Sequence, residues 1–216
     1  MRHAPYSTIA LFDGIEPEDI DAMLPCLGAR ERSYVKGETI FRTGDTTGDV
    51  GIVLAGGVNI TVNYAWGSTE IFVHVEPGQM FGEAYAITGG KLLVDAVAAE
   101  DSTVLFLRAN KLMATCGHAC PHHVRTIQNL IRIAALKNAT LSRRMMHTAP
   151  KTIRERVLSY LAEQEMEHGS RSFTIPFSRE EMANYLSVDR SALSNELSKM
   201  QRDRLIRFKK NRFELL

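Results

Sequence analysis

The chain has 216 residues, 44% of them hydrophobic, and a formal net charge of +1, enough apolar material for buried cores in one large or two modest domains. That near-neutrality excludes a nucleic-acid binder relying on a strong overall basic field. With no stretch apolar enough for a membrane span or signal-peptide core, and three cysteines making no small disulfide framework, a cytoplasmic protein without a membrane partner is expected. The distribution of charge is more informative than its sum. Residues 1–149 hold 13 basic and 15 acidic side chains, whereas 150–216 hold 13 and 10, so the basic excess lies at the C-terminal end.

Over 37–107, short β-type runs at 39–41, 50–54, 58–62, 71–75, 94–98 and 104–107 are separated by Gly44, Gly56, Gly57, Gly67, Gly78 and Gly82. Many short strands with regular turns predict a small barrel or roll. Trp66, beside Gly67 and Ser68, is expected at a hairpin tip. His74, within an alternating strand, reads as a rim or core residue rather than a haem ligand.

The run Cys116, His118, Cys120, His122, His123 carries thiols and imidazoles suited to zinc, copper or iron. Pro121 is placed in the first turn of the following helix, so the residues before it form a loop. A metal or redox site there competes with a plainer reading, a cap segment with buried thiols and solvated histidines.

A helix over 121–147 has no internal Gly or Pro after its start. Along it, Ile127, Ile131, Ala134, Asn138, Leu141 and Met145 are spaced 4, 3, 4, 3, 4, the seam of a coiled coil. Such a seam needs a partner. Asn138 in a seam position favours a two-stranded register and predicts a parallel homodimer, the alternative being a stripe that packs on the protein's own roll. The adjacent Met145 and Met146 read as adaptable packing. Thr148, Ala149 and Pro150 then interrupt the pattern as a hinge.

Residues 178–200 read as a helix-turn-helix. Ser178 and Glu181 have capping-box spacing, Met182, Ala183 and Leu186 form an inner face, and Asp189 caps a second helix. Leu193, Leu197 and Met200 form its buried stripe. The opposite face offers Arg190, Ser191, Ser194, Asn195 and Ser198, small polar residues plus one Arg able to grip a guanine edge. Beyond it, Leu205, Ile206, Phe208, Phe213 and Leu215 alternate around Lys209, Lys210 and Asn211, a two-stranded hairpin whose basic tip suits phosphate, and Ser178 is a further candidate DNA contact. The whole is a winged helix-turn-helix, whose partner is double-stranded DNA.

The expected fold class is therefore α+β: a jelly-roll-like sensor domain over 1–120, a dimerisation helix over 121–147, and a winged helix-turn-helix over 148–216. This order resembles the CRP/FNR family of bacterial transcription regulators over nearly the whole chain. Leu11-Phe12-Asp13-Gly14-Ile15 with Glu18-Asp19-Ile20 resembles the family's N-terminal helices, and Gly78-Gln79-Met80-Phe81-Gly82-Glu83-Ala84 its cassette motif. The resemblance implies a cyclic-nucleotide-binding-type roll, dimerisation through the long helix, effector-dependent DNA binding and RNA polymerase as a further partner. It also implies a pocket around Phe81, Gly82, Glu83 and Ala84.

The departures from that family are informative. Where cyclic-AMP-binding members place an Arg and a Ser or Thr on the cyclic phosphate, this chain aligns Leu93 and Val94, and neither side chain can donate a hydrogen bond to a buried phosphate. Lys91 lies nearby but lacks the guanidinium fork. Glu83 without that Arg reads as a cap for the short helix after it. No cofactor is required on this reading, and the effector is an unidentified small molecule other than cyclic AMP. The oxygen-sensing FNR branch uses an N-terminal cysteine cluster, whereas only Cys26 lies there, and three cysteines cannot build a four-cysteine cluster within one subunit. In the reading helix, Arg190 matches the family's recognition Arg, but Asn195 replaces a second Arg, so an altered palindromic operator is expected. An enzyme is disfavoured, since the chain has no P-loop, nucleophile elbow or zinc-protease helix. A regulatory subunit carrying the roll without binding DNA is the other alternative.

Overall fold

A computed structural model of the chain describes residues 6–114 and 121–216, and its contacts divide into two compact units, Met1–Ala134 and Ala135–Leu216. In the first, 3-10 turns at Tyr6–Thr8 and Ala10–Phe12 precede α1 (Pro17–Met23). There follow β1 (Arg30–Tyr34), β2 (Thr39–Phe41), β3 (Asp49–Ala55), β4 (Val58–Asn63), β5 (Thr69–Val75) and β6 (Met80–Phe81). After α2 (Glu83–Thr88) come β7 (Asp95–Ala98), β8 (Ser102–Arg108), α3 (Ala109–Leu112) and the first half of α4 (Pro121–Thr148).

The strands form two four-stranded antiparallel sheets, ordered β1-β8-β3-β6 and β2-β7-β4-β5. The six runs expected from sequence are β2, β3, β4, β5, β7 and β8. β1 escaped that reading because its sequence, RERSY, is polar and mostly exposed, with no apolar alternation.

β3 and β8 are buried on both faces, and the two-residue period assigns each side chain its layer. Val50, Ile52 and Leu54, with Leu105 and Leu107, join Ile9, Leu11, Phe12, Ile20 and Leu130 on the helical side. The intervening Val53, Val104 and Phe106 meet Val58, Val75 and Ala96 of the other sheet inside the roll. Phe81 also fills that interior. Its ring lies so close to Gly51 that a Cβ there would stand 2.4 Å from Phe81 Cζ, which excludes any side chain at that position.

The first half of α4 rests on this unit through buried His123, Thr126, Asn129 and Leu130, and Asn129 Nδ2 donates to the carbonyls of Leu11 and Asp13 at 3.0 and 2.9 Å. The seam expected from sequence lies on a different face. Ile131, Leu141 and Met145 are 60%, 54% and 66% exposed, Ala134 and Asn138 are exposed, and Ile127 is half-buried.

The second unit contains the rest of α4, then α5 (Ile153–His168), β9 (Ser172–Thr174), α6 (Arg179–Tyr185), α7 (Arg190–Arg202), β10 (Ile206–Lys209) and β11 (Arg212–Leu215). Its core gathers Val157, Tyr160, Leu161, Phe173, Met182, Ala183, Leu186, Leu193, Leu197, Met200, Ile206 and Phe213. α5 was not anticipated, although a capping box at Thr152 and Glu155 announces it. The wing gains a third strand, giving the order β10-β11-β9 rather than a two-stranded hairpin. Phe173 pairs with Phe213 in that added register.

The interruption at Thr148 to Pro150 is crossed by polar contacts. Buried His147 reaches Ser159 Oγ at 2.9 Å and Glu163 Oε2 at 2.7 Å, and Arg143 contacts Glu163 at 3.0 Å and Glu167 at 3.3 Å. The last turns of α4 are thereby tied to α5.

Candidate nucleic-acid interface

The helix-turn-helix is assembled by local chemistry. Ser178 Oγ accepts from Glu181 N–H at 3.2 Å while Glu181 Oε2 accepts from Ser178 N–H at 2.7 Å, starting α6. The turn passes through Ser187 in the left-handed region, φ +53°. Asp189 then starts α7, accepting from Ala192 N–H at 2.8 Å and from the Ser191 hydroxyl at 2.5 Å. Leu193, Leu197 and Met200 are fully buried, which turns Arg190, Ser191, Asn195 and Ser198 to solvent, with Ser194 half-exposed.

These residues are not equivalent. Among the described residues, nothing pairs with the side chains of Arg190 or Asn195, so all of their hydrogen-bonding groups face outward unused. By contrast, Ser191 gives its hydroxyl proton to Asp189 and Ser194 gives its own to the Arg190 carbonyl at 2.9 Å. Each serine retains only acceptor capacity. Ser178 accepts at the cap and keeps its proton to donate, as a phosphate contact requires.

Lys209 and Lys210 are exposed at the hairpin tip, again without a side-chain partner among the described residues, and Lys210 turns the chain at φ +55°. Arg179 holds this tip against the start of α6: its guanidinium lies 5.2 Å from the Phe208 ring centre and 5.7 Å from that of Phe213, and Nη2 donates to the Lys210 carbonyl at 3.1 Å. Sequence reading missed Arg179, for which the only signal is a cation beside the cap. The cleft it borders brings Ser178 and Lys210 together. Most other cations of this unit are used internally. Arg154, for example, bridges Glu196 at 2.6 Å and Asp203 at 2.8 Å, fastening α7 to α5. Among the described residues, Arg202, Arg204 and Lys151 are likewise without a side-chain partner.

The capping carboxylates titrate abnormally. The Ser178 backbone N–H holds Glu181 below the ordinary carboxylate range, the Ser191 hydroxyl does so for Asp189, and the Thr152 backbone N–H for Glu155. A depressed folded-state value stabilises the fold above the unfolded value and loses that contribution as pH falls through the folded one. The urea midpoint is therefore expected to drop below about pH 4, and to drop less in Asp189→Asn, which keeps a cap that cannot titrate. An identical decline in both proteins would contradict this.

In the roll, the expected pocket residues separate. Phe81 is core, with its ring 5.5 Å from that of Phe41. Gly82 is the N-cap of α2 at φ +77°, where a Cβ would meet Phe41 Cε2 at 2.8 Å. Glu83 is the first residue of α2 rather than its cap, and Ala84 is exposed. Leu93 is 73% exposed and Val94 half-buried, so the pair aligned with the phosphate grip offers no polar side chain and Leu93 turns outward. Of the candidate metal ligands, Cys116, His118 and Cys120 lie outside the described residues. His122 is 3.5 Å from Asp19, and His123 is buried. Among the described residues no group of three such side chains converges, and no helix is long and apolar enough to cross a membrane.

Comparison with known proteins accords with this architecture. A cyclic nucleotide-binding domain model matches residues 31–118, and a Crp-like helix-turn-helix domain model matches residues 155–216. The chain is 32% identical over 97 residues to the cyclic AMP receptor protein of Thermus thermophilus, a match covering 45% of this chain and 44% of that protein. It is 26% identical over 200 residues to the transcriptional activator protein FnrA of Stutzerimonas stutzeri, covering 88% and 77%. In fold it is similar to the c-di-GMP responsive global regulator CLP of Xanthomonas campestris, with a TM-score of 0.57 at 17% identity over 93% and 99% of the two chains. A nucleotide-binding-type roll joined to a Crp-like helix-turn-helix defines a DNA-binding transcription regulator, and the relatives matched are regulators rather than enzymes. The chain belongs to the CRP/FNR family.

Proposed function

We propose that the protein acts as a homodimer that reads a palindromic operator and answers to a small-molecule effector other than cyclic AMP. The observation that carries the reading is the apolar stripe of α4, which is exposed while a separate face of the same helix is buried on the roll. A second copy of the stripe covers it, with Asn138 setting register. The dimer presents two α7 helices to successive major grooves, and Arg190 and Asn195 supply the free base-reading groups of each. Ser178, Lys209 and Lys210 hold phosphates, and Ser191 and Ser194 act only as acceptors. Light scattering of the full chain at micromolar concentration tests the dimer directly. A mass of twice 24.1 kDa is expected, and a monomer would contradict it.

The effector reading follows from Leu93 and Val94. A cyclic phosphate withdrawn from water needs a charge-assisted donor, and here one residue is exposed and both are apolar. Calorimetric titration with cyclic AMP and cyclic GMP is expected to give no heat of binding at micromolar ligand. Saturable micromolar binding of either would overturn the reading.

A further inference from the structure

The end of α6 is finished by side chains from two other helices. A helix leaves its last carbonyls without backbone partners and carries partial negative charge there. In this protein four successive carbonyls, from Asn184 to Ser187, receive arginine N–H groups. Arg144, in the last turns of α4, donates from Nη2 to Asn184 O at 3.1 Å and from Nε to Tyr185 O at 3.2 Å. Arg156 of α5 donates from Nη1 to Leu186 O at 3.1 Å and to Ser187 O at 3.0 Å. Its Nε donates to Pro150 O at 2.8 Å, so the same side chain grips both the α4–α5 connection and the helix-turn-helix turn.

The clamp sits where the recognition helix is aimed. Ser187 is the left-handed residue of the turn and Asp189, two residues on, is the N-cap of α7. Holding the carbonyls of 184–187 therefore fixes the direction in which α7 leaves α6. The planar guanidinium serves two acceptors from one side chain, which an ammonium point charge cannot do in the same geometry. The hydrogen bonds of both guanidiniums go to carbonyls of the connection and the turn, not to side chains on the exposed face of α7.

We infer that Arg144 and Arg156 are positioning residues for DNA recognition, which set the orientation of α7 relative to the last turns of α4. In a dimer joined through α4, that orientation fixes the distance and angle between the two recognition helices. The clamp thus determines which half-site spacing the protein accepts. This rests on the dimeric reading proposed above.

The test uses the full chain and a duplex bearing the inverted repeat that the wild-type protein selects from random DNA. Arg144→Gln is expected to bind that duplex roughly tenfold more weakly, the size of one charge-assisted hydrogen bond. It should also lose most of the wild-type preference for the selected spacing over a spacing two base pairs longer. Binding to random-sequence duplex should be unchanged, and Arg144→Lys should recover only part of the preference. Arg144→Gln with wild-type spacing preference, or with equal loss on every duplex, would overturn the inference. If no repeat is selected, the dimeric reading fails instead, and amide exchange in the free protein still tests the clamp. The amides of 187–190 should exchange roughly tenfold faster in Arg144→Gln with the wing strands unaffected, and an unchanged turn would refute the clamp.

Discussion

Replacing Leu141 by Glu is expected to dissociate the protein into monomers and to lower affinity for a two-half-site operator by about 100-fold or more, the scale of lost effective concentration. Leu141 is 54% exposed in the single chain, yet it sits in register with Ile131, Ala134, Asn138 and Met145, at the 3–4 spacing that faces a partner. Burying one Leu is worth roughly 1.5–3 kcal/mol, lost once on each side of the seam, and two glutamates then face each other. Leu136 supplies the control. It is 59% exposed, but its position, nine residues after Ile127, places it about 180° around the helix from that seam residue. Leu136→Glu should leave the dimer and its operator affinity intact. Sedimentation velocity with fluorescence anisotropy on the same samples reads both effects. Equal behaviour of the two variants would contradict the seam.

Arg190→Ala is expected to cost roughly 1–3 kcal/mol of operator affinity per site and to relax discrimination at one base position. The exposed guanidinium at the first residue of α7 has no internal partner among the described residues, so its removal leaves nothing unsatisfied in the protein. On the proposed reading, what is lost is a bidentate grip on a base edge. Lys209→Ala and Lys210→Ala should behave differently, weakening all sequences alike and reducing the salt slope by about one each. Affinities of each variant across all single-base changes of the operator separate these outcomes. A sequence-independent loss from Arg190→Ala would remove its reading role and leave Asn195, whose usual base partner is adenine, as the principal reader.

The parts of this molecule that sequence discloses are those in which one residue type at one spacing has one physical use. The Ser178–Glu181 and Asp189 caps, the Leu193–Leu197–Met200 stripe and the glycine-punctuated strands are of this kind. The 3–4 apolar stripe of α4 is legible as spacing, and the helix that carries it is continuous over Pro121–Thr148 with Ile131, Leu141 and Met145 exposed. What escaped is held together across long separations. β1 is polar and earns its place only by pairing with β8, whose interior face is apolar. β9 is three residues long and becomes a strand through β11, with Phe173 opposite Phe213. The arginines illustrate the same limit. Arg190 is marked by its place on the polar face of the second helix, but nothing in sequence tells how Arg144, Arg154, Arg156 and Arg179 are used, and only the fold shows them occupied by carbonyls, carboxylates or rings. Likewise the motif that names Phe81 does not disclose its neighbours, and only the fold shows its ring packed against Gly51 and Phe41 inside the roll.

The central claim is that α7 reads DNA as one of a symmetric pair. Selecting bound duplexes from a random pool with the full chain, at near-physiological salt, tests it most directly. The expected product is an inverted repeat whose half-sites are centred about one helical turn, roughly 34–36 Å, apart, with a base position whose preference disappears in Arg190→Ala. Recovery of no enriched sequence, or of a lone half-site bound by a single chain, would contradict the account.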